Sequence, residues 1–246
     1  MNSISANLSI MIKASEKASK ILIRDFGEIE KLQVSKKSQR DFVTNADLKI
    51  EKVIIEELEK ARPNFSFISE ERGKKKNKDI ENTWIIDPID GTTNFLHGIP
   101  HFAISIGLLS FNEIVSGLIF DPIKDEIFFA EKNKGAFLNN QRIKVSKRKD
   151  INECLFTIGE NFKKEADFIY RTSGCAALDL AYVAAGRYDG YFQKKLNLWD
   201  IAAGLILVKE AGGITNNINL DNLKNIKIIA SNSNINQEFQ KKILNF

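Results

Sequence analysis

The segment Trp84-Ile85-Ile86-Asp87-Pro88-Ile89-Asp90-Gly91-Thr92-Thr93-Asn94-Phe95 concentrates the groups best suited to chemistry in this chain. Pro88 fixes its own φ and removes a backbone donor, so Asp87 and Asp90 are held around a tight turn rather than strung along a strand. Two carboxylates and the carbonyl between them can then converge. Gly91 permits close backbone approach, and a helix starting behind it turns the Gly91 and Thr92 amides outward at the positive end of its dipole, where anions bind. Carboxylates packed beside an anion repel it and one another by about 4 kcal/mol per unit pair at ~4 Å and an effective dielectric near 20, so something cationic must lie between them. No Lys or Arg interrupts Asp87 to Asp90, and an all-oxygen donor set suits Mg²⁺ rather than zinc or copper. The plainer alternative is a pair of aspartates that merely cap a turn.

The elements that must position this segment can be read from the flanking patterns. Leu8, Met11, Ile12, Ser15, Ala18 and Leu22 mark one face of an amphipathic helix over about Ser3 to Gly27, and Asp47 to Ala61 repeats the pattern until Pro63 stops it. Phe65 to Ser69 and Thr83 to Ile86 read as short strands that lead straight into Glu70-Glu71 and Asp87. From Ala103 to Leu138 strand-like runs alternate with turns such as Asp121-Pro122, as in an antiparallel meander. Beyond about Lys147 the rhythm becomes strand, helix, strand, helix: Leu155 to Ile158, Ala176 to Ala185, Gly190 to Phe192, and Ile201 to Ala211 closed by Gly212-Gly213. That alternation favours a second, α/β half, with the charged stretch Lys147 to Asp150 as its seam. We therefore expect an N-terminal α+β domain over residues 1–146 and a C-terminal α/β domain over 147–246.

Composition narrows the class. With 246 residues, 43% hydrophobic and 28% charged, the chain can bury a sizeable core, which excludes fibrous and disordered classes. The longest nearly unbroken apolar run, Ile201 to Val208, is far short of the roughly 20 residues that cross a bilayer, so no membrane partner is expected. Charges at Lys13, Glu16, Lys17, Lys20 and Arg24 argue against a signal peptide. Cys154 and Cys175 form no metal-binding pair, and Gly98 and Pro100 separate His97 from His101, so a reduced, cytoplasmic protein without structural zinc is expected. The net charge of +4 is too small and dispersed for a nucleic-acid surface, and the run Lys74, Lys75, Lys76, Lys78 reads as a solvated loop.

Three more segments agree with the central one: Asp41-Phe-Val-Thr-Asn-Ala-Asp47, Ile68-Ser-Glu-Glu71, and Trp199-Asp-Ile-Ala-Ala-Gly-Leu-Ile-Leu-Val-Lys-Glu-Ala-Gly-Gly213. In this order and spacing, from about Lys36 to Gly213, the chain resembles the inositol monophosphatase family of Mg²⁺-dependent sugar phosphatases, in its bacterial inositol-1-monophosphatase and extragenic suppressor branch. The resemblance implies the layered α-β-α-β-α fold shared with fructose-1,6-bisphosphatase, of α+β / α/β class, and a homodimer.

Carried over residue by residue, the resemblance implies that Glu70, Asp87 and the carbonyl of Ile89 hold one metal, that Asp87, Asp90 and Asp200 hold a second, and that Glu70 also lies near a weaker third. Two or three Mg²⁺ ions would offset these four carboxylates and a phosphate dianion. Thr92 and Asp47 correspond to the pair that orients the attacking water in an in-line displacement, with Glu71 supporting its neighbour. Asp90, Gly91, Thr92, Thr93, Gly174, Cys175, Ala176, Gln193 and Asp200 correspond to the substrate contacts. Cys175 occupies a position where Ser, Thr or Ala is expected and reads as a small packing residue. Gln193 stands where inositol-binding members carry Glu, which removes a charge-assisted bond. The implied reaction is hydrolysis of inositol-1-phosphate or a related small phosphate ester. The alternatives are fructose-1,6-bisphosphate or another sugar or nucleotide phosphate as substrate, and a regulatory role with RNA polymerase in ribosomal RNA synthesis.

Overall fold

A computed structural model describes residues 4–28, 34–36, 42–159 and 168–244. Helix α1 (Ala6–Phe26) begins at Ser5, whose hydroxyl accepts the Leu8 amide at 3.2 Å, a serine N-cap. It buries Leu8, Met11, Ala14, Ser15, Ala18 and Leu22 at three- and four-residue intervals. A short ribbon of β1 (Val34–Lys36) and β2 (Phe42–Thr44) leads into α2 (Asn45–Ala61), which packs on α1 through Ala46, Ile50, Ile54 and Leu58. Because α2 starts at Asn45, Asp47 lies within its first turn and does not open it. Asp41, the first residue of one motif, lies outside the described residues.

The first sheet has eight strands: β3 (Phe65–Ser69), β4 (Gly73–Lys75), β5 (Asp79–Asp90), β6 (Ala103–Ser110), β7 (Glu113–Asp121), β8 (Glu126–Glu131), β9 (Gly135–Leu138) and β10 (Gln141–Ile143). Their order is β10-β9-β8-β7-β6-β5-β3-β4, and every neighbouring pair is antiparallel except β3 and β5. The expected solvated loop at Lys74 is instead an edge strand, where lysines discourage pairing with another chain.

The second sheet has five strands: β11 (Leu155–Ile158), β12 (Ile169–Arg171), β13 (Gly190–Leu196), β14 (Ile214–Thr215) and β15 (Ile226–Ser231), in the order β12-β11-β13-β15-β14. Helices α4 (Ala176–Ala184) and α5 (Leu198–Glu210) lie between the two sheets, and α6 (Asn236–Leu244) covers the far face of the second. A five-residue helix, α3 (Thr92–Leu96), joins β5 to β6.

The result is five layers, helix, sheet, helix, sheet, helix, with an apolar core in each of the gaps. Strand alternation distributes the side chains: Trp84 and Ile86 face α1 and α2, whereas Ile85 faces α4 and α5. In the second sheet Tyr191, Ile228 and Ala230 face the central helices, whereas Phe192 and Ile229 face α6. Strands buried on both faces read as continuous apolar runs, which is why Trp84-Ile85-Ile86 shows no polar alternation. Helix α5 is apolar on nearly every side for the same reason.

Candidate active site

Glu70 and Asp87 meet because β3 and β5 run parallel. Their register pairs Ser69 with Ile86, so Glu70, just past the end of β3, comes level with Asp87 on β5. The Glu70 amide donates to the Ile86 carbonyl at 3.2 Å, which ties the two acidic residues together at the backbone.

Asp87 and Asp90 are not beyond a short strand, as the sequence implies, but inside the longer β5. The pairing with β6 shows why they cooperate: Asp87 stands opposite Ser105 and Asp90 opposite Ala103, so three residues on β5 span two on β6. Pro88 has no amide for the ladder, and one residue bulges out. In a regular strand, residues three apart point to opposite faces; the extra residue brings both aspartates to the same one. Asp87 Oδ1 also accepts the Ile89 amide at 3.0 Å, closing the turn around Pro88.

Asp90 is fixed from the second half of the chain. Its Oδ2 accepts the Ala177 amide at 2.5 Å and the Cys175 thiol at 3.0 Å, at the N-terminal end of α4. Burial raises the Asp90 pKa to about 6 despite the Cys175, Ala177 and Gly91 donors, which lower it. The Gly91 amide is thus engaged by Asp90 instead of facing outward. Cys175 does more than pack, since its thiol holds a carboxylate; burial, then the Asp90 charge, push its pKa far up, so it is no nucleophile.

Asp200 is the third residue of α5. Asn197 occupies the cap, and Asp200 Oδ2 reaches back to the Asn197 amide at 2.7 Å. The Thr92 hydroxyl donates to the Ile89 carbonyl at 2.8 Å. Asp87, 2% exposed, is where these elements converge: burial drives its pKa well up, and the charges of Glu70, Asp90, Asp200 and Asp47 drive it further, in that order. Four elements of the sheet and helices thus deliver five carboxylates to one neighbourhood. Among the described residues no three acidic, histidine or cysteine side chains are drawn tightly enough to enclose an ion as they stand; Asp87, Asp90 and Asp200 are each turned onto local donors. An oxygen-only set with this much mutual repulsion is nevertheless the donor chemistry of a hard divalent cation.

Of the expected substrate contacts, Gly174 and Cys175 form the turn before α4, with Ala176 opening the helix. Asn94 fastens that turn to α3 by donating to the carbonyls of His101 and Ser173 at 2.8 and 2.9 Å, whereas Thr93 is exposed. Gln193 Oε1 accepts the Tyr191 hydroxyl at 2.5 Å, and that hydroxyl in turn feels Asp179, Asp90 and Asp200. Lys194 and Lys195 extend β13 but are exposed. His101 packs edge-on against Tyr182.

Sequence reasoning missed three residues here. Asn94 lacked any spacing signal. Asp179, whose pKa burial raises to about 8, lies near the Ser173 and Thr157 hydroxyls. Glu51 is fully buried and bonded to the Glu71 amide; its place one helical turn after Asp47 was the only available hint.

Gly91 has φ +91, and a Cβ there would stand 3.0 Å from the His101 carbonyl oxygen and 3.3 Å from Cys175 Cβ. Gly91→Ala is expected to cost about 1–2 kcal/mol of stability from the left-handed backbone alone and to lower hydrolysis more than tenfold by displacing Asp90. Urea unfolding and phosphate release read the two effects separately.

The inositol monophosphatase family model matches residues 5–245. Inositol-1-monophosphatase of Mesorhizobium japonicum is 44% identical over 97% of this chain and 96% of its own. Nus factor SuhB of Xylella fastidiosa is 41% identical over 84% of this chain and 80% of its own. The crystal structure of extragenic suppressor protein suhB from Bartonella henselae superposes with a TM-score of 0.92 at 42% identity, covering 97% of this chain and 98% of the other.

Proposed function

The chain belongs to the inositol monophosphatase family and is a phosphatase, and on that premise we propose that it hydrolyses inositol-1-phosphate to inositol and phosphate with Mg²⁺ as cofactor. The observation that carries this reading is the buried Asp87 carboxyl facing four other acidic residues. Stability would be better served by almost any neutral residue there, whereas a phosphate-cleaving site needs concentrated oxygen ligands.

Glu70, Asp87, the Ile89 carbonyl, Asp90 and Asp200 would hold two or three Mg²⁺ ions. When bound, Mg²⁺ supplies charge neutralisation for the phosphate, a lowered pKa for water and stabilisation of the departing oxygen. The chain's own residues supply orientation. Asp47 and Thr92 would orient the attacking water, with Glu71 supporting its neighbour Glu70. Asp90, braced by Cys175 and Ala177, would contact the substrate as well as the cation. Gly91, Thr92 and Thr93, the turn from Gly174 to Ala176, and Gln193 would line the remainder of the substrate site. No covalent phosphoenzyme is needed.

We further take the protein to act as a homodimer in the cytoplasm. Both cysteines are free and buried, which fits a reducing compartment, and no helix among the described residues is long and apolar enough to cross a membrane.

A panel of inositol-1-phosphate, fructose-1,6-bisphosphate and a nucleotide phosphate, each with Mg²⁺ and with excess chelator, tests the proposal. Inositol-1-phosphate is expected to be cleaved fastest, and chelation to remove at least 99% of the rate, a difference of about 2.7 kcal/mol in barrier. Cleavage that survives exhaustive chelation would end the metal reading, and faster cleavage of another ester would end the substrate assignment. The likeness to Nus factor SuhB supports a second role with RNA polymerase; retention of polymerase on immobilised Asp87→Asn protein would separate that role from hydrolysis.

A further inference from the structure

Glu51 has no part in the reaction described above, yet it is a fully buried acid bonded to the residue next to Glu70. It lies on α2 one helical turn beyond Asp47. Its Oε2 accepts the Glu71 amide at 2.9 Å, and its Oε1 lies 3.3 Å from Arg72 Nε. Both of these partners sit on the single turn that follows β3. Burying an acid is costly, and an apolar side chain of similar volume would serve stability as well or better.

What the carboxylate provides is position. Glu70 lies between two anchored amides: its own donates to the Ile86 carbonyl, the group just before Asp87, and the next, that of Glu71, is held by Glu51. With the peptide groups on both sides of its Cα fixed, Glu70 stays beside Asp87 although the two acids repel. A site that must hold repelling groups within a fraction of an ångström depends on such supporting bonds.

We propose that Glu51 is a positioning residue for the divalent-cation site, holding the Glu71 amide so that the Glu70 carboxylate is presented toward Asp87. This inference rests on the reading of Glu70 and Asp87 as cation ligands.

The test is calorimetric titration of Mn²⁺ into the full chain without substrate, near neutral pH, alongside hydrolysis at graded Mg²⁺. Glu51→Ala is expected to weaken Mn²⁺ binding about tenfold or more, the usual effect of losing a group that orients a ligand. Its kcat should recover at saturating Mg²⁺, with KM for the ester little changed. Glu51→Gln, whose amide oxygen still accepts the Glu71 amide, should stay within about threefold of the parent. Arg72→Ala, which leaves that bond intact, should bind Mn²⁺ normally. Where Glu51→Ala does not fold, Glu51→Met fills the same space without the acceptor and takes its place. A variant that melts earlier but binds Mn²⁺ as tightly as the parent assigns Glu51 to stability alone and overturns the inference. Failure of the parent itself to bind Mn²⁺ would overturn the cation reading and the inference together.

Discussion

Asp87→Asn is expected to lower hydrolysis of inositol-1-phosphate by about a thousandfold or more, roughly 4 kcal/mol of transition-state stabilisation, while the metal-free protein becomes more stable at neutral pH. The two effects share one cause. Asp87 is 2% exposed and faces Glu70, Asp90, Asp200 and Asp47, so its charged form is disfavoured in the folded state and its pKa lies well above that of the unfolded chain. Between those two pKa values the native state binds more protons than the unfolded one. Stability from this group is therefore highest below the unfolded pKa and falls as pH rises toward and through the folded pKa. The amide has no such dependence and adds no repulsion. Thermal unfolding of both metal-free proteins from mildly acidic to mildly alkaline pH should show the parent losing stability faster. A variant that cleaves within threefold of the parent, or that melts well below it at neutral pH, would contradict this account.

The second large effect lies away from the carboxylates. Gly107 on β6 and Gly117 on β7 are paired across the sheet, and α5 rests on them through Ala202 and Ala203. A Cβ at Gly117 would fall 2.7 Å from the Ala203 carbonyl oxygen and 2.7 Å from Ile206 Cγ2. Neither a backbone oxygen inside a helix nor a branched side chain in a close-packed core can yield that space cheaply. Gly117→Val should cost about 3 kcal/mol, the upper end for overpacking, read as a lower urea midpoint. It should also reduce hydrolysis more than tenfold, because α5 carries Asp200 in its first turn. Full activity in a folded Gly117→Val protein would mean that the depth of α5 does not set the position of Asp200.

Much of this site was legible because it is local. Pro88 between two aspartates announces a turn, Gly91 announces a close backbone approach, and the periodicity of Leu8 to Leu22 and of Ile50 to Leu58 announces two helices. Prediction faltered where neighbours far along the chain decide. Asp90 looks like a turn residue, but its carboxylate is held by Cys175 and Ala177. Asp200 lies in the first turn of α5, and only the packing of that helix brings it toward Asp87. The elements after Gly213, strands β14 and β15 with helix α6, carried no pattern strong enough to read, because β15 is buried on both faces and α6 is short.

The amino-acid sequence by itself determined which residues are candidates for the chemistry, the order of most helices and strands up to Gly213, and the resemblance that names the family. Those follow from turn chemistry, apolar periodicity and motif spacing, all of which act between near neighbours. Only the tertiary structure decided that Glu70 lies beside Asp87, that a bulge turns Asp87 and Asp90 to one face, and that a glycine pair lets α5 bring Asp200 to them. It also decided that Glu51 braces the turn carrying Glu70. Each of these depends on strand register or on the distance between packed layers, quantities set by contacts between residues tens of positions apart and carried by no local pattern.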